Sequence, residues 1–202
     1  MEFKDVLRRR RMVRHYAPEP VRPEVLERIV GTVRRIPTAG FSQGVRLVVV
    51  TDPATRAELT RIADEPSFVE EGLEPWVSSA PVHIFVCVRE GDYHHRYTQA
   101  DKLQDGSEIE WPVPYWHFDA GAAALALLLA AVDEGLAAGV YGVRRDDETT
   151  LRELLGVPAD VRIDLGVTIG RPAPDPRWSE KASRRTWARK PLDELVRWER
   201  WS

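Results

Sequence analysis

The spacing of apolar residues along the chain predicts five helices. In the first, Phe3, Val6 and Leu7 lie three and four positions apart, so they share one face of a helix with an arginine-rich end. In the third, Asp52 followed by Pro53 is a typical helix start, because aspartate caps free N–H groups and proline fits the first turn. The predicted helices span residues 2–10, 23–36, 53–63, 117–134 and 146–155.

Runs of β-branched and apolar residues predict four strands, over residues 45–51, 81–88, 139–143 and 163–169. Helices and strands alternate irregularly, which favours an α/β or α+β sandwich. The sequence contains no G-x-G-x-x-G or Walker motif. A nicotinamide coenzyme bound in a Rossmann domain is therefore not supported.

The predicted helix over residues 117–134 is rich in alanine and apolar on nearly every side, and Gly135 is a typical stop signal. We expect it to be buried all round, either in the domain core or at a subunit interface. Its most apolar stretch, Ala120 to Val132, is shorter than the roughly 20 residues that cross a bilayer and is flanked by acidic residues. We expect no membrane contact from it.

Residues 89–116 form a polar and aromatic insertion without a clear period. Loops of this length are usually functional, so one interpretation is a lid that sizes a substrate pocket. The other interpretation is a surface excursion packed by its own aromatic residues. These residues are Tyr93, Tyr97, Trp111, Tyr115 and Trp116.

The composition is that of one globular domain over residues 1–202, with 43% hydrophobic residues. A single cysteine, Cys87, excludes an intramolecular disulfide and a multi-cysteine metal site, and its apolar strand indicates a structural thiol. His94, His95 and His117 lack the spacing of metal ligands, so we expect no metal. Charges at positions 2, 4 and 5 argue against a signal peptide, and a cytoplasmic location is expected.

Both ends of the chain are basic. Residues 1–35 hold ten Lys or Arg against five acids, and residues 177–202 hold eight against four, although the net charge of the whole chain is -3. A pI near 6.0 and the lack of a basic domain disfavour a nucleic-acid partner. A small anionic ligand held by both ends fits this pattern better, and solvated surface arginines are the simpler alternative.

Four sequence blocks occur in a characteristic order. They are RRMVR at residues 10–14, PTAGFSQ at 37–43, DAGAA at 119–123 followed by GLAA at 135–138, and RKPLDELV at 189–196 followed by RW at 200–201. Each block alone is a weak signal. Together, in this order and over almost the whole chain, they resemble the nitroreductase-like flavoproteins.

The resemblance implies an α+β fold, a nitroreductase-like α/β sandwich with a central, mostly antiparallel sheet flanked by helices. It also implies a tail-swapped homodimer, in which residues 172–202 extend onto the partner subunit and two FMN molecules occupy clefts at the interface. The tail contains Trp178, Trp187, Trp198 and Trp201. Four exposed tryptophans are unfavourable, so we expect the tail to lie on a protein surface.

The activity implied is hydride transfer from NADH or NADPH through FMN to a small organic acceptor, as in nitroreductases and flavin reductases. The flavin carries this chemistry, so no catalytic side chain is assigned. Two alternatives remain open. One is a flavin-binding storage or sensor protein without turnover, and the other is a flavoenzyme of different reductive or oxidative chemistry within the same fold, including one that uses a deazaflavin donor. The physiological acceptor is not defined by the sequence.

The resemblance also assigns cofactor-binding positions. Arg10 and Arg189 would hold the phosphate, and Arg14 would lie near flavin N1 and O2. Backbone groups of residues 139–142 would line the flavin ring, with their glycines allowing close approach. The full set is Arg10, Arg11, Met12, Arg14, Thr38, Ala39, Phe41, Gln43, Val140, Tyr141, Gly142 and Arg189.

Three positions depart from the family pattern. Met12 stands where serine is usual, which removes a hydroxyl donor that Arg11 would have to replace. Phe41 stands where asparagine is usual, so an amide contact gives way to stacking or apolar packing. Trp187 stands where some members have lysine. These departures leave FMN as the expected cofactor and leave the substrate range open.

Overall fold

The computed structural model describes residues 1–72, 74–173 and 188–201. Its centre is a four-stranded sheet in the order β1-β2-β4-β3, and each neighbouring pair is antiparallel. The strands are β1 (Val45–Val50), β2 (Val82–Val88), β3 (Ala137–Gly142) and β4 (Arg162–Gly170). The α+β fold with an antiparallel sheet flanked by helices is thus confirmed.

Eight α-helices are present in the described ranges. They are α1 (Phe3–Arg9), α2 (Pro23–Gly31), α3 (Pro53–Ile62), α4 (Glu65–Glu70), α5 (Glu90–Tyr97), α6 (Tyr115–Asp133), α7 (Glu148–Leu155) and α8 (Leu192–Leu195). Short 3-10 turns follow at Thr32–Arg35, Ala39–Phe41 and Arg145–Asp147.

Local signals set several helix ends as expected. The carboxylate of Asp52 accepts from the N–H of Thr55 at 2.7 Å and from its hydroxyl at 2.8 Å, so it caps α3. Gly135 ends α6 at a φ of 75°, and the N–H of Leu136 returns to the carbonyl of Ala131 at 2.8 Å. This geometry needs the left-handed conformation that glycine adopts without strain.

The sheet separates two apolar layers. Ile84 and Val86 of β2 face α6 and belong to the larger core, whereas Phe85 and Cys87 face the layer that contains α3 and α7. This alternation follows from the two-residue period of a strand. Burial raises the pKa of the Cys87 thiol to about 11, which agrees with a structural role for this cysteine.

Helix α6 crosses all four strands but is not buried all round. One stripe of the helix faces solvent in the single chain, so burial by the domain core alone is wrong, and packing at a subunit interface stays a prediction. The stripe consists of Tyr115, Phe118, Ala122, Leu125 and Leu129, of which Phe118 is 63% and Leu125 49% exposed. By length and composition α6 could span a membrane, but half of it is buried against the rest of the protein.

The structure adds elements that the residue pattern did not predict. Helices α4 and α5 were missed, and α5 occupies the first part of the 89–116 insertion. Strand β3 begins two residues earlier than expected. In the described part of the tail Trp198 and Trp201 are exposed, whereas Trp178 and Trp187 lie outside the described residues.

Candidate functional site

The arginine-rich segment after α1 runs along the outer edge of β3. Met12 forms a parallel bridge with Ala138, and the N–H of Val13 donates to the Ala138 carbonyl at 3.0 Å. A Cβ atom on Gly139 would lie 2.4 Å from the carbonyl oxygen of Val13. Gly139 therefore makes room for this segment, and not for a ring as we expected. At Gly142 the space is open.

The side chain of Arg14 rests on an aromatic cluster. Its guanidinium carbon lies 5.2 Å from the centre of the Trp76 ring, and Trp76 meets Tyr141 edge-on with ring centres 5.5 Å apart. A cation–π contact at an exposed site contributes about 0.5–1 kcal/mol. The cluster joins Arg14 of the first sequence block to Tyr141, a predicted cofactor residue on β3.

A buried histidine holds Tyr141 in place. The Tyr141 hydroxyl lies 3.1 Å from Nδ1 of His83, and Nε2 of His83 lies 3.1 Å from the carbonyl oxygen of Val77. Since a carbonyl only accepts, Nε2 carries the proton and Nδ1 accepts from Tyr141. Burial lowers the pKa of His83 to about 4, so this ring is neutral near pH 7.

A second buried group anchors the loop that carries Trp76. The Oε1 atom of Glu65 accepts from the N–H groups of Trp76 and Val77, both at 2.6 Å, and Oε2 accepts from the N–H of Ser78 at 3.2 Å. Glu65 is only 5% exposed. Several N–H donors on one carboxylate offset the loss of hydration of its charge.

A cavity of about 300 Å³ opens beside the aromatic cluster, on the face of the sheet that carries α3 and α7. Trp76, Tyr141 and Gly142 line it, and Phe85 and Leu151 extend its apolar wall into the core. An apolar cavity of this size accommodates a planar ring system.

The residues of the second block lie in one tight turn before β1. In this turn the N–H of Ala39 donates to Oδ2 of Asp119 on α6 at 3.0 Å. Thr38 caps the turn, since its hydroxyl accepts from the N–H of Gln43 at 3.1 Å. The ring of Phe41 points outward and is 73% exposed.

These two groups of predicted cofactor residues lie at opposite corners of the sheet. The arginine segment flanks β3 near Ala138, whereas the turn 38–43 leads into the start of β1 at the other edge. Three inter-strand spacings of about 4.8 Å separate the edges, and about six residues at about 3.3 Å separate the ends. The two groups are thus ~14 Å apart across the sheet and ~20 Å apart along it.

The remaining predicted positions are at or near the surface. Arg11 donates to the carbonyls of Arg8 and Arg10, and Met12 is half exposed. Val140 and Tyr141 are half-buried, and Gly142 and Arg189 are exposed. Neither Arg10 nor Arg189 forms an ion pair with a described residue.

The histidines considered as metal ligands have separate partners. Nδ1 of His94 lies 2.6 Å from Glu108, and Nδ1 of His117 lies 2.7 Å from Asp164. Within residues 1–72, 74–173 and 188–201 no group of three or more potential ligands is close enough to hold a metal.

Several residues that shape this region were not predicted from the sequence. Trp76, Glu65 and His83 carried no periodic or motif signal, because their roles depend on a loop returning to β3. In the sequence, Asp119 is simply the first residue of an alanine-rich block. Its position at the start of a long apolar helix was the one available hint that a buried carboxylate had a specific partner.

Known proteins similar to this chain share its fold. The model of the Nitroreductase family matches residues 7–171. The structure of the NADPH:FMN oxidoreductase from Vibrio harveyi complexed with NAD+ superposes with a TM-score of 0.72 at 23% identity, covering 99% of this chain and 78% of that one. The chain therefore has the same fold as that flavin oxidoreductase.

The chain belongs to the nitroreductase family, which confirms the resemblance drawn from its sequence. An NADPH-dependent oxidoreductase of Staphylococcus epidermidis is 22% identical over 179 residues, which are 88% of this chain and 67% of that protein. An NADPH-flavin oxidoreductase of Vibrio harveyi is 28% identical over 167 residues, 82% of this chain and 64% of that protein. The chain spans about two thirds of the length of these curated relatives.

Proposed function

We propose that the protein passes hydride from NADH or NADPH through FMN to a small organic acceptor. Family membership and the names of its relatives identify it as an NAD(P)H-dependent flavin oxidoreductase, with FMN and a nicotinamide nucleotide as its cofactors. The observation that carries this proposal is the contact of Arg14 with Trp76, which in turn meets Tyr141 beside an apolar cavity. Two distant parts of the chain converge there.

The residues present fit FMN. Its phosphate carries nearly two negative charges, and Arg10 and Arg189 offer guanidinium groups without an ion-pair partner in the described ranges. The cavity beside Tyr141 and the open space at Gly142 suit a planar ring. When bound, the flavin supplies the hydride-transfer chemistry.

Arg14 would orient the flavin and favour its reduced form. Negative charge develops near N1 and O2 on reduction, and a fixed cation at that place stabilises it. Trp76 restricts the guanidinium of Arg14, and Glu65 in turn anchors the Trp76 loop. Such preorganisation means that little rearrangement is needed when the charge appears.

A homodimer would complete the site. The arginine segment and the turn 38–43 lie at diagonal corners of one sheet, so a single chain does not bring both to one flavin. The exposed stripe of α6 starts near the turn, because Asp119 of α6 binds Ala39. Apposed against a second copy, this stripe would be buried and each flavin would contact residues of both chains.

The C-terminal segment supports the same assembly. Leu192, Leu195, Trp198 and Trp201 are all at least 65% exposed, which is unusual for so many large apolar residues within ten positions. We propose that residues 172–202 extend onto the partner subunit. The chain then forms one flavin-binding domain over residues 1–202.

The lid hypothesis applies to part of the 89–116 insertion. Helix α5 packs against the turn 38–43, and Tyr97 lies against Gly40. The segment after α5, residues 98–114, is tied back to α5 by Glu108, which contacts His94 and accepts from Trp111. We propose this segment as the lid that sizes the acceptor pocket.

The storage alternative has less support, because the relatives carry the names of oxidoreductases.

We expect the protein to act in the cytoplasm, where reduced nicotinamide nucleotides are available. Small organic molecules are the expected substrates.

Purification followed by anaerobic titration tests the proposed function. The protein should be yellow, release FMN on denaturation, and bleach when NADH or NADPH is added. Turnover with a panel of quinone and nitroaromatic acceptors should show ping-pong kinetics. A protein that binds FMN but is bleached by neither nucleotide would instead indicate storage or a deazaflavin donor, and a colourless protein that takes up no FMN would refute the proposal.

A further inference from the structure

The turn 38–43 contains backbone strain. Phe41 has a φ of 63° and Gln43 a φ of 53°, in the left-handed region that side chains other than glycine rarely adopt. Gly40 between Ala39 and Phe41 shares this conformation. Strain of this kind persists only where surrounding contacts enforce it, and it is concentrated at ligand-contacting sites.

Several hydrogen bonds enforce the strained conformation. Within the turn, the hydroxyl of Ser42 donates to the carbonyl of Ala39 at 2.6 Å. From outside, Nε of Arg96 on α5 donates to the carbonyl of Gly40 at 2.9 Å. The turn is thus held both by its own side chains and by two neighbouring helices, α5 and α6.

The anchor on α6 is a buried carboxylate. Oδ2 of Asp119, which is 8% exposed, accepts from the N–H of Ala39 and from the hydroxyl of Tyr93 at 2.7 Å. Burial and the nearby Asp119 raise the pKa of Tyr93 well above its usual range, so its hydroxyl stays a donor. The Tyr93 ring also fills the space where a Cβ atom of Gly44 would lie.

The rigid turn presents one large side chain to solvent. The Phe41 ring is 73% exposed and forms a wall of a shallow groove of about 290 Å³. Ile36, Val45 and Leu47 also line this groove, and Arg34 contributes a cation. An exposed aromatic ring beside an apolar surface offers a face for stacking on another planar ring.

We propose that Phe41 is a stacking platform that selects a planar aromatic ring at the flavin site, and that Asp119 is its positioning residue. This inference rests on the proposed function, because the ring that stacks belongs either to FMN or to the acceptor. Both rings share the same recognition chemistry. In the proposed dimer, the Phe41 that contacts a given flavin belongs to one subunit, and the arginine segment that binds the same flavin belongs to the other.

Substitutions at Phe41 separate the two sources of the ring. Phe41→Leu keeps apolar bulk but removes the aromatic face, and Phe41→Trp keeps an aromatic face. For each variant, FMN affinity is measured by fluorescence titration of apoprotein, and kcat/KM is measured for 1,4-naphthoquinone and for ferricyanide, which has no ring. Phe3→Leu, an exposed aromatic residue on α1, is the matched control.

If the acceptor stacks, Phe41→Leu lowers the ratio of kcat/KM for naphthoquinone over ferricyanide about five- to tenfold, mainly through KM. If the flavin stacks, FMN affinity falls by a similar factor and the acceptor ratio stays constant. Phe41→Trp, which keeps an aromatic face, should retain the wild-type acceptor ratio and FMN affinity. Both results support the platform, and they identify its ligand.

The strained backbone at Phe41 allows a second measurement, which distinguishes a role in ring binding from a purely structural role. Phe41→Gly relieves the left-handed backbone and should raise the melting temperature of the apoprotein while weakening the same ring interaction. If Phe41→Gly lowered both the melting temperature and the ring affinity, it would contradict the proposal that the turn is strained in order to present the Phe41 ring.

A double-mutant cycle tests Asp119 as a positioning residue. Asp119→Asn weakens its hold on Ala39 and should reproduce the ring-affinity loss of Phe41→Leu, and the double variant should lose little more than either single variant. Fully additive losses, with kcat and KM changing alike, would show that Asp119 is only structural.

Failures of the two proposals are distinguishable. A wild-type chain that takes up no FMN overturns the proposed function and this inference with it. A wild-type chain that binds FMN and turns over, with Phe41→Leu matching Phe3→Leu in all measurements, overturns this inference alone.

Discussion

At the scale of single residues, Arg14 is the side chain whose placement is most informative. It lies on Trp76, which meets Tyr141 and lines the cavity. We expect Arg14→Ala to weaken FMN binding or slow flavin reduction about tenfold or more, the loss typical of one charge-assisted contact. Stopped-flow reduction by NADPH and FMN titration measure both effects. Arg9→Ala, on the exposed face of α1, serves as the control, and equal behaviour of the two variants would reject the assigned role.

Gly139 allows close packing of two backbone segments. Its missing side chain admits the carbonyl of Val13, so Gly139→Ala forces two backbone segments apart. We expect destabilisation of about 1–3 kcal/mol in chemical denaturation, together with weaker FMN binding. Gly31→Ala, where nothing lies within 4 Å of the added atom, should be neutral or slightly stabilising. An unaltered Gly139→Ala protein would contradict the packing described here.

His83 gives the protein a defined acid sensitivity. Its pKa of about 4 lies below the unfolded value of about 6.5, so the unfolded chain binds the proton more readily. The associated stability is fully present above pH 6.5 and is lost as the pH falls toward 4, by up to about 3 kcal/mol. Urea unfolding of His83→Gln should therefore depend less on pH across this range than the wild type does. His95→Gln, exposed on α5, should keep the wild-type slope.

At the scale of elements, α4 begins with Glu65, which anchors the loop that carries Trp76. Glu65→Ala leaves the N–H groups of Trp76, Val77 and Ser78 without their carboxylate, and we expect a loss of about 3 kcal/mol in unfolding free energy. Glu65→Gln retains one acceptor and should lose less. The exposed Glu70→Ala on the same helix is the control, and a comparable loss there would show that helix propensity, not the loop anchor, is responsible.

Sequence reasoning located most elements because their signals are local. Asp52 with Pro53 marks a helix start and Gly135 a helix end, through a cap and a left-handed turn that depend only on neighbouring residues. Helix α5 was missed because its contacts are with the turn 38–43 and α6, so its apolar positions follow no simple stripe. The anchors Glu65, His83 and Asp119 were missed for the same reason, since each binds a segment distant in sequence.

At the scale of the whole molecule, the exposed stripe of α6 predicts the oligomeric state. Leu125→Glu places a charge in the middle of this stripe and should convert the proposed dimer into a monomer that no longer retains FMN. Light scattering coupled to gel filtration, with flavin absorbance, measures both. Val69→Glu, a comparably exposed apolar position on α4, should leave the mass at that of the wild type. A dimer that persists in Leu125→Glu would place the interface elsewhere.

The sequence blocks pointed to the family and suggested a set of cofactor-binding residues, but not how these residues are arranged. The order of the blocks along the chain does not show whether their residues lie close together in the folded protein. Here the arginine segment and the turn 38–43 lie at diagonal corners of the sheet, a relation that depends on strand order and is invisible in linear sequence.

This diagonal arrangement has a genetic consequence for the proposed dimer. A chain with an inactivating substitution in its arginine segment is inactive alone, and so is a chain with one in its turn 38–43. Their mixed dimer, however, contains one site in which both the arginine segment and the turn are intact. Co-expression of the two defective chains should therefore restore part of the activity by intersubunit complementation, whereas placing both lesions on one chain and pairing it with a wild-type copy should leave neither site whole.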